Sequence, residues 1–197
     1  MEFGLPTTKN EKMLEIPTLS YKKTKGNKCN IMDKKINLTG EKLKILSGSA
    51  CYLGYLPFMP GTFGALPGIA LYYLLWKFLT PEFLWMGLFV SVFLIVLLNY
   101  YLTPWATQYW KSKDPSQFVL DEIIGFLCVP LFYGTHDFAT TALWGFILFR
   151  ILDIIKIFPA SYVDKNVAGS TGIVFDDVIS AGYAALCLSL LNYFQLI

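Results

Sequence analysis

Five apolar stretches dominate this chain from residue 65 onward and constrain its fold more than any other feature. They are Ala65–Leu79, Phe83–Leu102, Ile123–Tyr133, Phe138–Phe158 and Val178–Ile197. A helix needs about 20 residues to cross a bilayer, so the first and third stretches are short and either enter the bilayer partly or pack inside the protein. Charged residues make up only 15% of the chain, below the roughly 25% of a soluble domain. The sequence therefore predicts an all-α integral-membrane bundle with about five apolar helical segments, two of them short.

The basic residues are concentrated in the first part of the chain. Residues 1–50 hold ten of the sixteen Lys and Arg residues and five of the fourteen acids, which leaves the remainder net negative. Residues 1–40 have few large apolar side chains and no signal-peptide pattern, and we expect a disordered, polar and basic N-terminal extension there. The membrane domain is predicted at residues 41–197, beginning with a short amphipathic helix over 41–53. A nucleic-acid binder would carry its basic patch on the folded domain, so no nucleic-acid partner is expected.

The charge distribution also predicts a topology. Basic residues beside membrane segments mark the cytoplasmic side or contact anionic lipid. If the extension is cytoplasmic and each apolar segment crosses in turn, residues 54–64, 103–121 and 159–177 share that side. The opposite turns, near residues 81–82 and 134–137, contain no Lys or Arg. Every acid-rich motif of the chain then falls on one face of the membrane.

The first candidate motif is a turn before the first apolar segment, with Gly61, Thr62 and Gly64 following Pro60. Glycines allow a tight turn with outward-pointing backbone amides, and such a turn before a helix suits a phosphate group. The Thr62 hydroxyl could add a donor or could cap the helix. A simple membrane-entry turn is the alternative interpretation.

Two further motifs place paired acids where an apolar stretch begins. Asp121 and Glu122 lead into the third stretch, and Asp176 and Asp177 lead into the fifth, after a glycine-containing loop that Asp164 precedes. Ionisable residues at membrane helices are costly and are usually paired or functional. The alternatives are a pair that complements a helix dipole for the first motif, and a loop with a helix cap for the second.

The fourth motif is Arg150, Asp153 and Lys156, three residues apart on one helix face, before Pro159 ends the helix. An acid between two cations inside an apolar helix suits a site for a metal and a phosphate. Arginine would hold phosphate oxygens with two parallel hydrogen bonds, and lysine would act as a point charge. A structural ladder of ion pairs is the alternative.

Together these motifs favour magnesium chemistry on a phosphate. Mg²⁺ prefers oxygen ligands, neutralises phosphoryl charge and can activate an attacking water. The chain has one histidine and four cysteines without a C-x-x-C pair, so a zinc site or a phosphohistidine mechanism has too few candidate residues. No cysteine is followed six residues later by arginine, which excludes a phosphocysteine mechanism of that pattern.

From about Leu43 to its C-terminus the chain resembles the phosphatidylglycerophosphatase A family. The resemblance rests on four segments in order: GYLPFMPGTFGAL, LDEIIGF, FRILDIIKIFPASYVDK and GSTGIVFDDVISAGYAAL. It implies an all-helical enzyme of the bacterial inner membrane with a cytoplasmic active site and Mg²⁺ dependence. The implied reaction converts phosphatidylglycerophosphate into phosphatidylglycerol and inorganic phosphate.

The resemblance also implies residue roles, since the family motifs fall on the acids and cations described above. The residues implied to bind Mg²⁺ and carry the reaction are Asp121, Glu122, Asp153, Asp176 and Asp177. The residues implied to bind substrate are Gly61, Thr62, Gly64, Arg150, Lys156 and Asp164. Either a water or a carboxylate would attack phosphorus. Two alternatives stay open: the same chemistry on another lipid phosphate such as phosphatidic acid, and a non-catalytic multi-pass membrane protein. No oligomeric state follows from the sequence.

Overall fold

The computed structural model describes residues 40–134, 137–167 and 169–196, and every regular element in these ranges is helical. The helices are α1 over residues 40–48, α2 (Pro60–Gly64), α3 (Leu66–Phe78), α4 (Pro81–Trp110), α5 (Leu120–Tyr133), α6 (Phe138–Ile155), α7 (Ala160–Asn166) and α8 (Ser170–Tyr193). The predicted all-α class is therefore confirmed for the described part of the chain. The predicted disordered extension lies outside the described residues, apart from Gly40, and stays a prediction.

Three of the described helices, α4, α6 and α8, are long and apolar enough to cross a membrane. Most of each helix surface faces outward, and α4 exposes large apolar side chains such as Phe89, Phe93 and Leu97. An apolar surface of this extent is typical of a protein that contacts lipid. Because only these three of the described helices meet that criterion, the predicted count of about five apolar segments is not confirmed. The first and third predicted stretches correspond to α3 and α5, which have 13 and 14 residues and fall short of a spanning length.

The short helix α5 is the centre of the bundle. It packs most extensively against α8 and also contacts α3, α4 and α6. From Ile123 to Pro130 every residue is buried. The predicted third apolar stretch is therefore short because protein, rather than lipid, surrounds it on all sides.

Helix boundaries follow local backbone chemistry. The predicted helix over 41–53 ends at residue 48, because Ala50, Cys51 and Tyr52 all have left-handed backbone angles that cannot continue an α-helix. Helix α4 begins with Pro81 in its first turn, where a missing N–H costs nothing, and tolerates Pro104 near its C-terminal end. The hydroxyl of Thr103, directly before that proline, lies 2.7 Å from the backbone oxygen and 2.9 Å from the side-chain oxygen of Asn99 and donates to them.

Short connections alternate the direction of the helices. Only residues 79–80 separate α3 from α4, and residues 134–137 separate α5 from α6, so these pairs run antiparallel. The C-terminal ends of α4 and α6 and the N-terminal ends of α5 and α8 consequently meet at one end of the bundle. Lys77, in the last turn of α3, lies at the other end, where its ammonium faces the rings of Tyr73 and Phe78.

Candidate active site

At the end of the bundle where those four helices meet, two adjoining cavities open. The first, which we call the acidic compartment, has a volume of about 250 Å³. Its polar lining consists of Lys113, Asp114, Asp121, Glu122, Asp153, Lys156, Asp164, Asp176 and Asp177. Acids thus outnumber cations by more than three to one, and a cavity of this kind attracts positive charge.

The second cavity, which we call the arginine compartment, has a volume of about 360 Å³. Its lining consists of Met59, Pro60, Gly61, Thr62, Pro115, Ser116, Phe118 and Arg150, together with four residues that it shares with the acidic compartment: Asp114, Asp121, Glu122 and Ile154. The shared residues form the wall between the two compartments, so a single elongated headgroup can occupy both.

Lys156 is held firmly between two acids of the acidic compartment. Its ammonium donates to Asp176 at 2.6 Å and to Asp164 at 2.9 Å. Burial alone would lower the pKa of Lys156, but these hydrogen bonds outweigh it and hold the pKa above its usual value. Its backbone ends α6 in the left-handed region, with φ of 48°. Lys156 therefore fastens the end of α6 to α7 and α8.

Arg150, the only arginine in the sequence, is bound at one edge alone. Its Nη1 donates to Asp153, one turn further along α6, at 2.9 Å. Its Nε is buried and has no hydrogen-bond partner. A buried donor without an acceptor costs free energy, so this edge of the guanidinium is ready to bind an acceptor that enters the arginine compartment.

The predicted Pro-Gly-Thr turn lies directly against Arg150. A Cβ atom on Gly61 would collide with Glu122 Oε1 and would stand 2.7 Å from Arg150 Nη2, so only glycine permits this approach. The Thr62 hydroxyl is buried without a partner, and α2 begins after Met59 with no side-chain cap, so Thr62 does not cap the helix. Its hydroxyl is a second unused donor in the arginine compartment.

The acids at the start of α5 lie between the compartments. Asp121 Oδ1 and Glu122 Oε2 are buried, and no N–H or hydroxyl group donates to either oxygen. Burial raises the pKa of Asp121 well above its usual value, and the charges of Glu122 and Asp177 raise it further. Burial also raises the pKa of Glu122 to about 6, although a hydrogen bond from the Asp121 carboxyl and the charge of Arg150 act in the opposite direction. Burial therefore disfavours the ionised form of both carboxylates, and at Glu122 the neighbouring Arg150 guanidinium offsets part of this effect.

Asp176 and Asp177 are buried in the second turn of α8. The helix begins at Ser170, so the residues predicted as a glycine-containing loop belong to its first turn, and neither acid caps it. Asp176 uses Oδ2 for Lys156, whereas its Oδ1 is buried without a partner. It is the third carboxylate at this end of the bundle with an unused oxygen.

The structure brings together nearly all of the predicted site residues, and it adds one. Gly64 is the exception, since it lines neither compartment and instead packs closely against Val119. Asp114 lines both compartments although the sequence did not single it out. The one available signal was its position, beside Lys113 and before Pro115, within a connection expected on the same side as the other acids.

The carboxylates are not arranged as a finished metal site. Among the residues that the structure describes, no group of three or more His, Cys, Asp or Glu side chains could hold a metal ion as it stands. Mg²⁺ is commonly bound by one or two carboxylates, with waters and substrate phosphate oxygens completing its shell. The unpartnered oxygens of Asp121, Glu122 and Asp176 are the donor type that this ion prefers, so the residues fit such an ion.

Comparison with known proteins identifies the family. The family profile named Phosphatidylglycerophosphatase A matches residues 46–192, which is most of the chain. The chain belongs to this family. It is accordingly an enzyme, a phosphatase. The match begins in α1 and includes all of the helices that line the two compartments.

Three relatives carry related names. Phosphatidylglycerophosphatase A of Escherichia coli K12 is 33% identical over 132 residues, 67% of this chain and 73% of the relative. The Haemophilus influenzae protein of the same name is 32% identical over 70% of this chain and 81% of the relative. A Bacteroides thetaiotaomicron protein named "Putative phosphatidylinositol-3-phosphatase" is 32% identical over 77% of this chain and 94% of the relative. No solved structure shows a significant match to the chain.

Proposed function

We propose that this protein is a Mg²⁺-dependent lipid phosphatase that hydrolyses phosphatidylglycerophosphate to phosphatidylglycerol and inorganic phosphate in bacterial phospholipid synthesis. Family membership and two of the relatives' names support the substrate. The observation that carries the chemistry is the pairing of unused carboxylate oxygens with unused donors in adjoining cavities at one end of a membrane bundle. Such a site suits a cation and a phosphate bound side by side.

The proposed Mg²⁺ ligands are drawn from five acids, which would hold one or two ions: Asp121, Glu122, Asp153, Asp176 and Asp177. When bound, Mg²⁺ supplies positive charge that offsets the negative charge of the phosphoryl group during transfer. Of the five, Asp121 and Glu122 on α5 and Asp176 on α8 have unpartnered oxygens. Asp153 already accepts from Arg150, so its place in the set depends on the position of that guanidinium.

The remaining steps rest on the chain's own residues. Arg150 and Thr62 hold the substrate by donating hydrogen bonds to its phosphate oxygens, whether or not these belong to the reacting group, and Lys156 keeps Asp164 and Asp176 in place. Water adds to phosphorus, the bond from phosphorus to the terminal glycerol oxygen breaks, and the departing oxygen takes up a proton. A carboxylate of the shared wall can accept the proton that the water loses. The buried positions of these groups exclude bulk water and strengthen each electrostatic contact.

The proposed location is the bacterial inner membrane, with the site facing the cytoplasm. Lys111, Lys113, Lys156 and Lys165 lie at the site end of the bundle, whereas Lys77 lies at the other end. Excess basic residues mark the cytoplasmic side of a membrane protein. A site at the helix ends, rather than at mid-membrane, also meets the lipid substrate at the level of its headgroup.

A second candidate is the same hydrolysis on another lipid phosphate. The name of the Bacteroides thetaiotaomicron relative, which refers to a phosphorylated inositol lipid, favours this alternative. Phosphatidylinositol 3-phosphate and phosphatidylglycerophosphate share two features: a phosphodiester next to the diacylglycerol and a phosphomonoester further out. Phosphate release from phosphatidylglycerophosphate, phosphatidylinositol 3-phosphate and phosphatidic acid, which lacks the diester, separates these candidates.

The test is phosphate release by purified protein in detergent, with Mg²⁺ and then with chelator. We expect release from phosphatidylglycerophosphate only with Mg²⁺, and loss of activity in Asp153→Asn. The matched control is Asp137→Asn at the opposite end of the bundle, since Asp137 only caps α6 through the Thr140 amide and asparagine caps equally well. Full activity in Asp153→Asn, or in chelator, would remove the basis of the proposal.

A further inference from the structure

The unused polar atoms of the site separate by type. Two of them belong to residues that line the arginine compartment outside the shared wall. They are the Arg150 Nε–H, which can only donate, and the Thr62 hydroxyl, which is also able to donate. The unused atoms on the wall and in the acidic compartment are all carboxylate oxygens, from Asp121, Glu122 and Asp176. Donors without acceptors call for an anion, and acceptors without donors call for a cation. The two compartments therefore differ in what they bind.

Charge decides which anion suits the arginine compartment. Its single cation, Arg150, already pairs with Asp153 and lies beside Glu122, so it can neutralise about one negative charge at most. A phosphomonoester carries roughly −1.5 to −2 at neutral pH, whereas a phosphodiester carries only one charge. A dianion against the shared wall of Asp114, Asp121 and Glu122 would be repelled unless a cation accompanied it. The diester is the better match.

The position of the compartment agrees with this assignment. Met59 and Phe118 supply apolar lining, and the neighbouring Phe58 and Met59 are strongly exposed, at 77% and 51%. Exposed apolar side chains next to a membrane bundle point toward lipid. In a glycerophospholipid the diester phosphate is the one nearest to the acyl chains. The compartment that adjoins the apolar edge is therefore where the diester arrives.

We infer that the arginine compartment is a subsite for the phosphodiester of a lipid that carries two phosphates, while its terminal phosphomonoester lies in the acidic compartment with the cation. This inference rests on the proposed function and extends it, because it makes the diester a determinant of specificity. Arg150 and Thr62 then bind the phosphodiester, which is the part of the substrate that does not react. Lys156, with both of its partners in place, is a positioning residue.

A binding experiment in chelator tests the subsite without catalysis. Thermal unfolding of the purified protein in detergent is followed with glycerophosphoglycerol, a diester without acyl chains, and with glycerol 3-phosphate, a monoester. A ligand that binds only the folded state raises the melting temperature. We expect the diester to give the larger shift in wild type and Thr62→Ser, and about tenfold weaker binding in Thr62→Val, because a hydrogen bond to a charged group is lost.

The matched control is Thr141→Val. Thr141 is also a buried threonine, but it lies near the start of α6, away from both compartments, and its hydroxyl faces Tyr72. Its variant should keep the full response to the diester. A larger shift with glycerol 3-phosphate than with the diester, or an unchanged response in Thr62→Val, would overturn the inference.

A kinetic experiment gives the second measurement. With Mg²⁺, Thr62→Val should raise KM for phosphatidylglycerophosphate about tenfold and change kcat little, because the diester does not react. A loss of kcat with KM unchanged would place the reacting phosphate in the arginine compartment instead. If wild type releases no phosphate from phosphatidylglycerophosphate, the proposed function fails, and the chelator experiment still decides whether the diester subsite exists.

Discussion

Arg150 and Lys156 lie six residues apart on the same helix end, yet the two cations are bound very differently. Lys156 donates to two carboxylates from α7 and α8, and its backbone ends α6. Arg150 has one carboxylate partner and keeps a buried donor unused beside a cavity. Two cations of equal charge, each three residues from Asp153, therefore have different roles. One cation holds the site together, and the other is available to a ligand.

The strongest test of this contrast is Arg150→Lys. Lysine keeps the charge but cannot present the planar pair of donors that holds a phosphate. We expect kcat/KM on phosphatidylglycerophosphate to fall by about 100-fold, because a substrate displaced by about 1 Å can lose that much rate. Lys165→Gln removes an exposed cation at the same end of the bundle and should remain close to wild type. Near-normal activity in Arg150→Lys would contradict a role in binding phosphate.

Lys156→Met should affect stability more than chemistry. It leaves the buried Asp176 carboxylate without its ammonium partner, and breaking a buried pair in this way costs several kcal/mol. Because Lys156 is 30% exposed, solvent screening reduces the expected loss of unfolding free energy to about 2 kcal/mol. Unfolding in detergent, combined with Asp176→Asn in a double-mutant cycle, measures the coupling. An inactive variant of unchanged stability would show that Lys156 binds the phosphate directly.

Gly61→Ala tests how closely the Pro-Gly-Thr turn must approach Arg150. The added methyl group collides with Glu122 and must displace either its carboxylate or the guanidinium. We expect activity to fall about tenfold, since displacement of oriented groups by a fraction of an ångström is costly. Gly182→Ala is the control, because a Cβ at that position in α8 meets nothing within 4 Å and alanine favours the helix.

The smallest expected effect is a pH dependence of the unfolding free energy, measured with chelator present. Burial raises the pKa of Glu122 to about 6 and also raises that of Asp121. The folded state then binds more protons than the unfolded state, so stability falls as pH rises from about 5 to 7. For Glu122 the loss is about 1 kcal/mol, reduced for partial exposure. Lys156 titrates only at alkaline pH and contributes no slope in this window.

The check is unfolding free energy at pH 5 and pH 7 in wild type and in Glu122→Gln, both with chelator present. The variant should show the shallower dependence, because the amide does not titrate. A slope of opposite sign would mean that the α5 carboxylates are better stabilised than their burial indicates.

The sequence was enough to predict that the acids converge, because this prediction requires only that successive apolar segments alternate in direction. Once the apolar stretches reverse direction at short connections, Asp121, Asp153 and Asp176 must meet at one end of the bundle. The same reasoning left the depth of α5 open, because a helix that is apolar on all sides suits both lipid and a protein core. Only its contacts with α3, α4, α6 and α8 decide between them.

The division of the site into two compartments could not be predicted from spacing. The division depends on the rotamers of Arg150 and Lys156. Lys156 contacts Asp164 and Asp176 because the chain reverses after α6, and no sequence pattern predicts the path of that reversal. Asp114 was missed for a related reason, since an acid beside a lysine and a proline in a connection is normally a solvated turn residue. The close approach of Gly61 to Glu122 also joins two motifs that are far apart in sequence.

The burial of α5 separates the proposed metal-binding acids Asp121 and Glu122 from direct contact with the bilayer. Changes in lipid thickness act on lipid-facing helices, which tilt to match their surroundings. Helix α5 has no such surface over most of its length, and the carboxylates of Asp121 and Glu122 begin that helix. A membrane that thins, thickens or stiffens as its lipid composition changes therefore reaches these two acids only through their helical neighbours. An enzyme that works on the material of its own membrane is in this way partly insulated from the consequences of its own product.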